Sequence, residues 1–417
     1  MTDKFFPIKT DTACQLKWNW STIQLYTGTT SSCHRVNGDI ITADTFDQFH
    51  NTPKKIADRK LMLDGKWPTG GCEYCKKIED LGGYSDRLLH LTIPNQTPLE
   101  LETNPVAIEV TPQIVEVYFD NVCNMSCLYC WDGFSSKIQQ ENIRFGLFEK
   151  QGVVINNRAN KVSNIDAIND KFWQWMSQHG QKVRCLHILG GEPFYQKQFK
   201  RCLDFFEQNP HQQLELTVVS NLMISDKKFQ ALIQRLKHLV RRRHLGRFDL
   251  TCSIDCFGPE QEYVRYGLDL AQWKRNFEYV CKEKWITLKI NQTLSTLTIK
   301  TVPDLLEYVN NLRANRKIGH YFSAAVYTHD CLHPEIFGTG FFDKDFKNIL
   351  QCMPQESDEQ INARNYMQGI QKQINSHSRD QEKINQLPVF LDEIDRRRNL
   401  NWKQTFPWLV KELEHVV

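Results

Sequence analysis

The 417 residues carry 52 Lys and Arg against 49 Asp and Glu, a formal charge of +3 that is too small to predict a nucleic-acid partner. A hydrophobic fraction of 41% and a charged fraction of 24% exclude wholesale disorder and leave room for two or three domains, or for one large barrel with an appended module. No run approaches the ~18 apolar residues of a membrane span and the start MTDKFFPIKTD lacks an apolar export core, so no membrane contact is expected and the cytoplasm is the expected compartment. The 14 cysteines, spread along a chain without an export signal, favour reduced thiols and metal ligands over a disulfide scaffold.

Residues 1–95 hold Cys14, Cys33, Cys72 and Cys75. The last two form GGCEYC, a tight CxxC after Pro68 and two glycines, where a knuckle can point two sulfurs at one metal. Cys14 and Cys33 bracket a stretch that reads as a strand with a Gly-containing turn. Asp44 to Leu63 predicts one or two helices. Together the four thiolates could make one site, and zinc suits them as well as iron does. Thr92 to Thr111, rich in Pro, Asn and Thr, reads as a connector.

The second segment, 112–330, begins with VEVYFDNVCNMSCLYCW. Val115, Val117 and Phe119 alternate as in a β-strand and lead into a loop with Cys123, Cys127 and Cys130. Three thiolates on eight residues can grip one metal cluster, and a four-iron cube held by three leaves one iron open for a non-protein partner. A zinc knuckle or three buried thiols are the alternatives at this point. Ser135 to Val162 reads as polar and irregular. Strands at Arg184 to Leu189, Leu214 to Val219, Phe248 to Ile254, Trp285 to Leu294 and Tyr321 to Tyr327 then alternate with helices at Asp226 to Val240, Leu270 to Cys281 and Val302 to Leu312, and Asp166 to His179 is helical too. Six β/α units in series predict an α/β fold, a parallel barrel or most of one, with its active site at the C-terminal ends of the strands. At those ends lie Gly190-Gly191-Glu192, Ser220-Asn221, Ser253-Ile254-Asp255 and, further on, Arg265. Glycines let a ligand approach the backbone, and a glutamate accepts hydrogen bonds from an ammonium group. The basic run from Lys237 to Arg247 reads as a solvated helix end. The third segment, 331–417, reads as a largely helical extension.

The CxxxCxxC spacing of Cys123, Cys127 and Cys130, with Tyr129 before the third cysteine, resembles the signature of the radical S-adenosylmethionine (SAM) superfamily. Gly190, Gly191 and Glu192 resemble the family's GGE motif, which holds the SAM amine, and Asn221 resembles its polar position near SAM. Ser253, Asp255 and Arg265 resemble a SID…R pattern in which serine and arginine contact the SAM ribose or carboxylate. Cys14–Trp18, RKLMLDGKWP and the closing CxxC resemble the SPASM and twitch modules that hold auxiliary clusters, although those modules usually follow the core and this one precedes it.

The resemblance implies a partial (β/α)6 TIM-like barrel, a [4Fe-4S] cluster with an open iron, bound SAM and a second, auxiliary [4Fe-4S] cluster held by Cys14, Cys33, Cys72 and Cys75. It implies reductive cleavage of SAM to a 5′-deoxyadenosyl radical and hydrogen abstraction from a substrate, with flavodoxin or ferredoxin as the kind of electron donor. Auxiliary-cluster members often act on ribosomally made precursor peptides, so a peptide is the expected substrate and Cα L-to-D epimerisation the most concrete outcome. Cys331 and Cys352 are spare thiols that could return hydrogen to the substrate radical, or else small buried hydrophobes. Peptide cross-linking or excision, action on a small metabolite or tRNA, and a non-catalytic zinc scaffold are the alternatives.

Overall fold

The computed structural model describes residues 10–33, 35–80, 85, 87–88, 108–155, 159–323 and 329–414. Its frame is a nine-stranded sheet, among the described residues, whose middle is parallel. Strand β1 is Trp20–Gln24, β2 Thr29–Ser31 and β3 Asp39–Ile40. The central strand β4 is Ile114–Tyr118, and β5 (Ser126–Cys127) lies inside the cysteine loop. A hairpin of β6 (Phe148–Lys150) and β7 (Val153–Ile155) follows. Then come β8 (Cys185–Leu189), β9 (His211–Ser220), β10 (Leu245–Ser253), the two-residue β11 (Arg265–Tyr266), β12 (Thr287–Thr293) and β13 (Ile318–Ser323).

Strands β4, β8, β9, β10, β12 and β13 lie side by side in chain order, each parallel to the one before. Helices cross between them. This is the mixed α/β series that six β/α units predict. The ladder is open among the described residues: β13 forms one edge, and beyond β4 the sheet continues through β1, parallel to it from Trp20↔Ile114 to Gln24↔Tyr118, and then through antiparallel β2 and β3. The first cysteine-containing segment therefore donates strands to the same sheet as the central segment.

Alternation decides which way each strand faces. Val115 and Val117 of β4, with Phe119 beyond its end, enter the large apolar core under the crossover helices, as do Leu186 and Ile188, Leu216 and Val218, Leu250 and Cys252, and Leu288 and Ile290. The opposite face carries Glu116 and His187, whose side chains approach to 4.0 Å, so one face of the sheet is polar. A separate apolar cluster joins the C-terminal helices to the cysteine loop through Leu128, with Phe390, Trp402 and Phe406 at its centre.

Two stretches differ from the sequence reading. Ser135 to Val162 is not irregular up to Ile155: it forms a helix, Ser136–Phe145, capped by the Ser135 hydroxyl on the Ile138 N–H, and then the β6–β7 hairpin. Only Ile138 and Asn142 of that helix are buried, which left too thin an apolar stripe to read. A helix at Lys197–Gln208 also stands between the Gly-Gly-Glu turn and β9. The last strand, expected at Tyr321 to Tyr327, starts three residues earlier, and 324–327 lie outside the described residues.

Candidate functional site

The loop after β4 puts Cys123, Cys127 and Cys130 on a tight path fixed from several sides. The Cys130 N–H donates to the Cys127 carbonyl (3.1 Å), and the Ser136 hydroxyl bridges the N–H and carbonyl of Cys123 at 3.1 and 3.2 Å. Strand β5 pairs antiparallel with β11, so Arg265 stands opposite Cys127, and its guanidinium reaches the Cys127 sulfur at 3.9 Å. Burial, and then the neighbouring thiol of Cys127, pushes the Cys123 thiol up to about 12. The Cys130 thiol is raised by the same two causes, with Cys123 adding to them. The Cys127 thiol raises both of the others, so the three are near neighbours, a set of the kind that a cationic iron centre takes as thiolates.

The Gly-Gly-Glu turn after β8 presses on the start of this loop. Gly190 and Gly191 have φ of +79° and +58°. A Cβ on Gly191 would stand 2.3 Å from the Val122 carbonyl oxygen, so only glycine fits between the two turns. The Glu192 N–H donates to that same carbonyl at 2.8 Å. The Glu192 carboxylate is buried and accepts from the Ser220 hydroxyl (2.9 Å), the Asn221 N–H (2.7 Å) and the Phe194 N–H (3.2 Å). Burial dominates these bonds and raises its pKa to about 7. Among the described residues this buried carboxylate has three neutral donors and no cation, and an ammonium group would supply a positive partner.

Asn221 ties the turn after β9 to the loop. Its amide donates to the Asn124 side chain at 2.9 Å, and Asn124 in turn donates to the Met223 carbonyl at 2.7 Å. On the far side Asp255 is fully buried and receives Arg265 through two bonds of 2.8 Å, together with the Thr293 N–H (2.9 Å) and the Tyr129 hydroxyl. Gln261 holds the backbone N–H groups of Asp255 and Cys256 at 3.0 and 2.9 Å. The Arg265 fork is thus directed at Asp255 and Cys127, and Tyr129 is fastened to the same carboxylate. Ser253 ends β10 beside Asn291 and is buried.

The predicted residues Tyr129, Gly190, Gly191, Glu192, Asn221, Asp255 and Arg265 are therefore brought around one three-cysteine loop by hydrogen bonds or close backbone approach. Sequence reading missed Asn124, Gln261 and Gln292, which also serve this assembly. Asn124 lies inside CxxxCxxC and was legible as a polar residue at a crowded turn. Gln292, whose amide donates to the Asp255 carbonyl and accepts from His320 at 2.9 Å, gave no comparable signal.

Cys14, Cys33, Cys72 and Cys75 line one cavity. Cys14 caps a short helix, Gln15–Asn19, that leads into β1, and it packs with Trp20, Ile114 and Cys185, the first residues of β1, β4 and β8. This cavity lies at the N-terminal ends of the strands, whereas the three-cysteine loop follows their C-terminal ends. Burial, then Cys33, pushes the Cys14 thiol up to about 12. Four thiols lining one cavity are the donor type that a four-thiolate centre uses. Among the described residues no three His, Cys, Asp or Glu side chains meet as ligands of a single metal ion. A four-iron cube makes a different demand, placing each sulfur on its own iron.

The spare thiols separate. Cys331 is buried in the apolar cluster that contains Leu128 of the cysteine loop, and Tyr129 packs against that cluster. Cys352 ends the helix Asp343–Cys352, and its carbonyl accepts from Asn310 at 2.7 Å. Asn310 stands near the end of the helix Val302–Arg313, which runs back from the end of β12 to the start of β13, so Cys352 lies away from the loop. Cys256 is fully buried at the end of β10, toward Thr301. No described helix is long and apolar enough to cross a membrane.

No family model matches the chain, and no curated protein matches it. Among solved structures it is similar to SuiB of Streptococcus suis bound to S-adenosylmethionine, at 14% identity over 73% of this chain and 62% of that one, with a TM-score of 0.35. SuiB bound to its precursor peptide SuiA aligns at 13% identity over 71% and 60%, with a TM-score of 0.34. The chain spans about three fifths of the length of these SuiB chains. At so low a degree of superposition, the chemistry has to come from this chain's own residues.

Proposed function

We propose that this chain is a radical SAM enzyme that modifies a peptide, with SAM held over the loop of Cys123, Cys127 and Cys130. The observation that carries the reading is the convergence on that loop of three turns from the C-terminal ends of β8, β9 and β10. A four-iron cluster held by Cys123, Cys127 and Cys130 would supply one-electron reduction of SAM, breaking its carbon–sulfur bond to give methionine and a 5′-deoxyadenosyl radical. The chain's own residues hold and orient. Glu192 would offer the SAM ammonium a buried carboxylate, Gly190 and Gly191 would let the ligand approach the backbone, and Ser253, buried at the end of β10, is the residue we assign to the ribose. Arg265 and Tyr129, locked to Asp255, keep Cys127 and Cys130 in register. The apolar residues around Leu128 exclude water from a reactive radical.

The second part of the proposal is an auxiliary [4Fe-4S] cluster on Cys14, Cys33, Cys72 and Cys75, in a twitch-like module at the N-terminal ends of the strands. For the outcome on the peptide we propose Cα epimerisation, with Cys331 as the hydrogen donor: its thiol shares an apolar cluster with the loop, and burial raises it to about 12, which keeps the S–H intact. Cys331→Ala should then leave 5′-deoxyadenosine formation in place and stop uptake of one solvent deuterium per product peptide, while Cys352→Ala should change neither. Electron paramagnetic resonance (EPR) of the anaerobically reconstituted, reduced protein tests the SAM site. Addition of SAM should shift the signal of one cluster, and the shift should be lost in Glu192→Ala. A signal indifferent to SAM would reject the site.

A further inference from the structure

The cavity of Cys14, Cys33, Cys72 and Cys75 has an unusual electrical lining. Among the described residues its ionisable lining besides the four thiols is Lys17, Arg35 and Arg87, without a carboxylate. The carboxylates stand behind the cations. Asp58 pairs with Lys17 at 2.6 Å, the two side chains being 8% and 3% exposed, and Glu79 pairs with Arg87. Arg35 turns its backbone N–H to the Cys33 sulfur at 3.4 Å.

Lys17 is also held at its backbone. The buried Arg59 donates from Nε to the Lys17 carbonyl at 2.7 Å and from Nη2 to the His50 carbonyl at 2.8 Å, fixing the short helix that follows Cys14. An ammonium buried beside a cavity of thiols costs several kcal/mol unless an anion compensates it. Asp58 compensates it, and Asp58 is also paired with Lys54 at 2.9 Å. A metal centre carrying four thiolates would be anionic, and more so by one charge after reduction. In a low-dielectric site, a fixed positive charge a few ångströms away favours that reduced form, and net charge and hydrogen bonds to sulfur are the levers that set such potentials.

We propose that Lys17, fixed by Asp58, sets the potential of the N-terminal centre by stabilising the reduced form of an iron–sulfur cluster bound to Cys14, Cys33, Cys72 and Cys75. This rests on the reading that those cysteines hold such a cluster. The step concerned is a one-electron gain from an external one-electron donor; no bond is made or broken in the protein, and Lys17 keeps its proton. Lys17 is a positioning and tuning residue that touches no substrate.

The test uses the full chain with Cys123, Cys127 and Cys130 all changed to Ala, so that one centre remains. Iron and sulfide are counted after anaerobic reconstitution, and the cluster is then titrated against redox mediators with dithionite, followed by EPR. Lys17→Met should keep its iron and become harder to reduce, by at least tenfold in the reduced-to-oxidised ratio at fixed potential, which is 59 mV for one electron. Asp58→Asn should shift the other way, and Lys17→Arg should restore the parent value. Full iron with an unchanged potential in Lys17→Met overturns the inference while leaving the cluster in place. Should Lys17→Met lose its iron, Asp58→Asn decides, and an unchanged or lowered potential there overturns it. No iron in the parent variant overturns the cluster reading itself.

Discussion

The two cysteine sites stand at opposite ends of the same strands and are built in opposite ways. From Ile114 to Tyr118, β4 covers about 13 Å at the usual ~3.3 Å per residue, with the four-cysteine cavity at its start and the three-cysteine loop beyond its end. The loop has one sulfur fewer and is ringed by groups able to grip a small polar molecule: a buried carboxylate without a cation, two glycines with positive φ and a hydroxyl at a strand end. The cavity has its full set of sulfurs and is lined by cations and apolar side chains. Under the proposed function, the loop would share a metal centre with a ligand, and the cavity would enclose one and fix its charge. A centre enclosed there, at the far end of the strands, would be suited to electron storage or support rather than to contact with a substrate held at the loop.

The contrast can be broken experimentally, beginning with the largest effect. Cys127→Ala should reduce 5′-deoxyadenosine formation to background, because two thiolates do not hold a three-ligand cluster. Cys72→Ser should lower the iron content by about one cluster, on the order of four irons, while SAM cleavage persists at the loop; loss of both would mean that the sites do not act separately. Glu192→Gln keeps the shape of the acceptor and removes its charge. It should weaken SAM binding by about 10- to 100-fold, the ~1.5–3 kcal/mol of a hydrogen bond to a charged group, as measured by equilibrium titration. Gly191→Ala is read by stability: a Cβ would stand 2.3 Å from the Val122 carbonyl oxygen at φ +58°, so the two turns must shift on top of ~1–3 kcal/mol of backbone strain, and the melting temperature should fall by at least several degrees.

How much of this was legible depended on whether the signal was local. The alternation of Val115, Val117 and Phe119, the cysteine spacing and the Gly-Gly-Glu turn are contiguous, and the strands between Cys185 and Thr293 were read within a few residues of their ends. The helix Lys197–Gln208 is not among the predicted elements, although Phe199, Cys202, Leu203 and Phe206 carry the i, i+3, i+4, i+7 spacing between its polar residues. Pairings across the chain were out of reach. Tyr129 meets Asp255, Asn124 meets Asn221 and Lys17 meets Asp58, over separations of 126, 97 and 41 residues, and no local pattern announces them. The sequence assigns the arginine of YVRYG to the ligand; in the structure its fork reaches Asp255 and the Cys127 sulfur, neighbours that only the β5–β11 pairing makes visible.

The measurement that bears most directly on the account is anaerobic reconstitution with iron and sulfide, followed by reduction in the presence of SAM and assay of 5′-deoxyadenosine. The account predicts iron near two four-iron clusters per chain and 5′-deoxyadenosine formed by the native chain but not by Cys127→Ala. Zinc in place of iron at both sites, with SAM recovered intact, would contradict it.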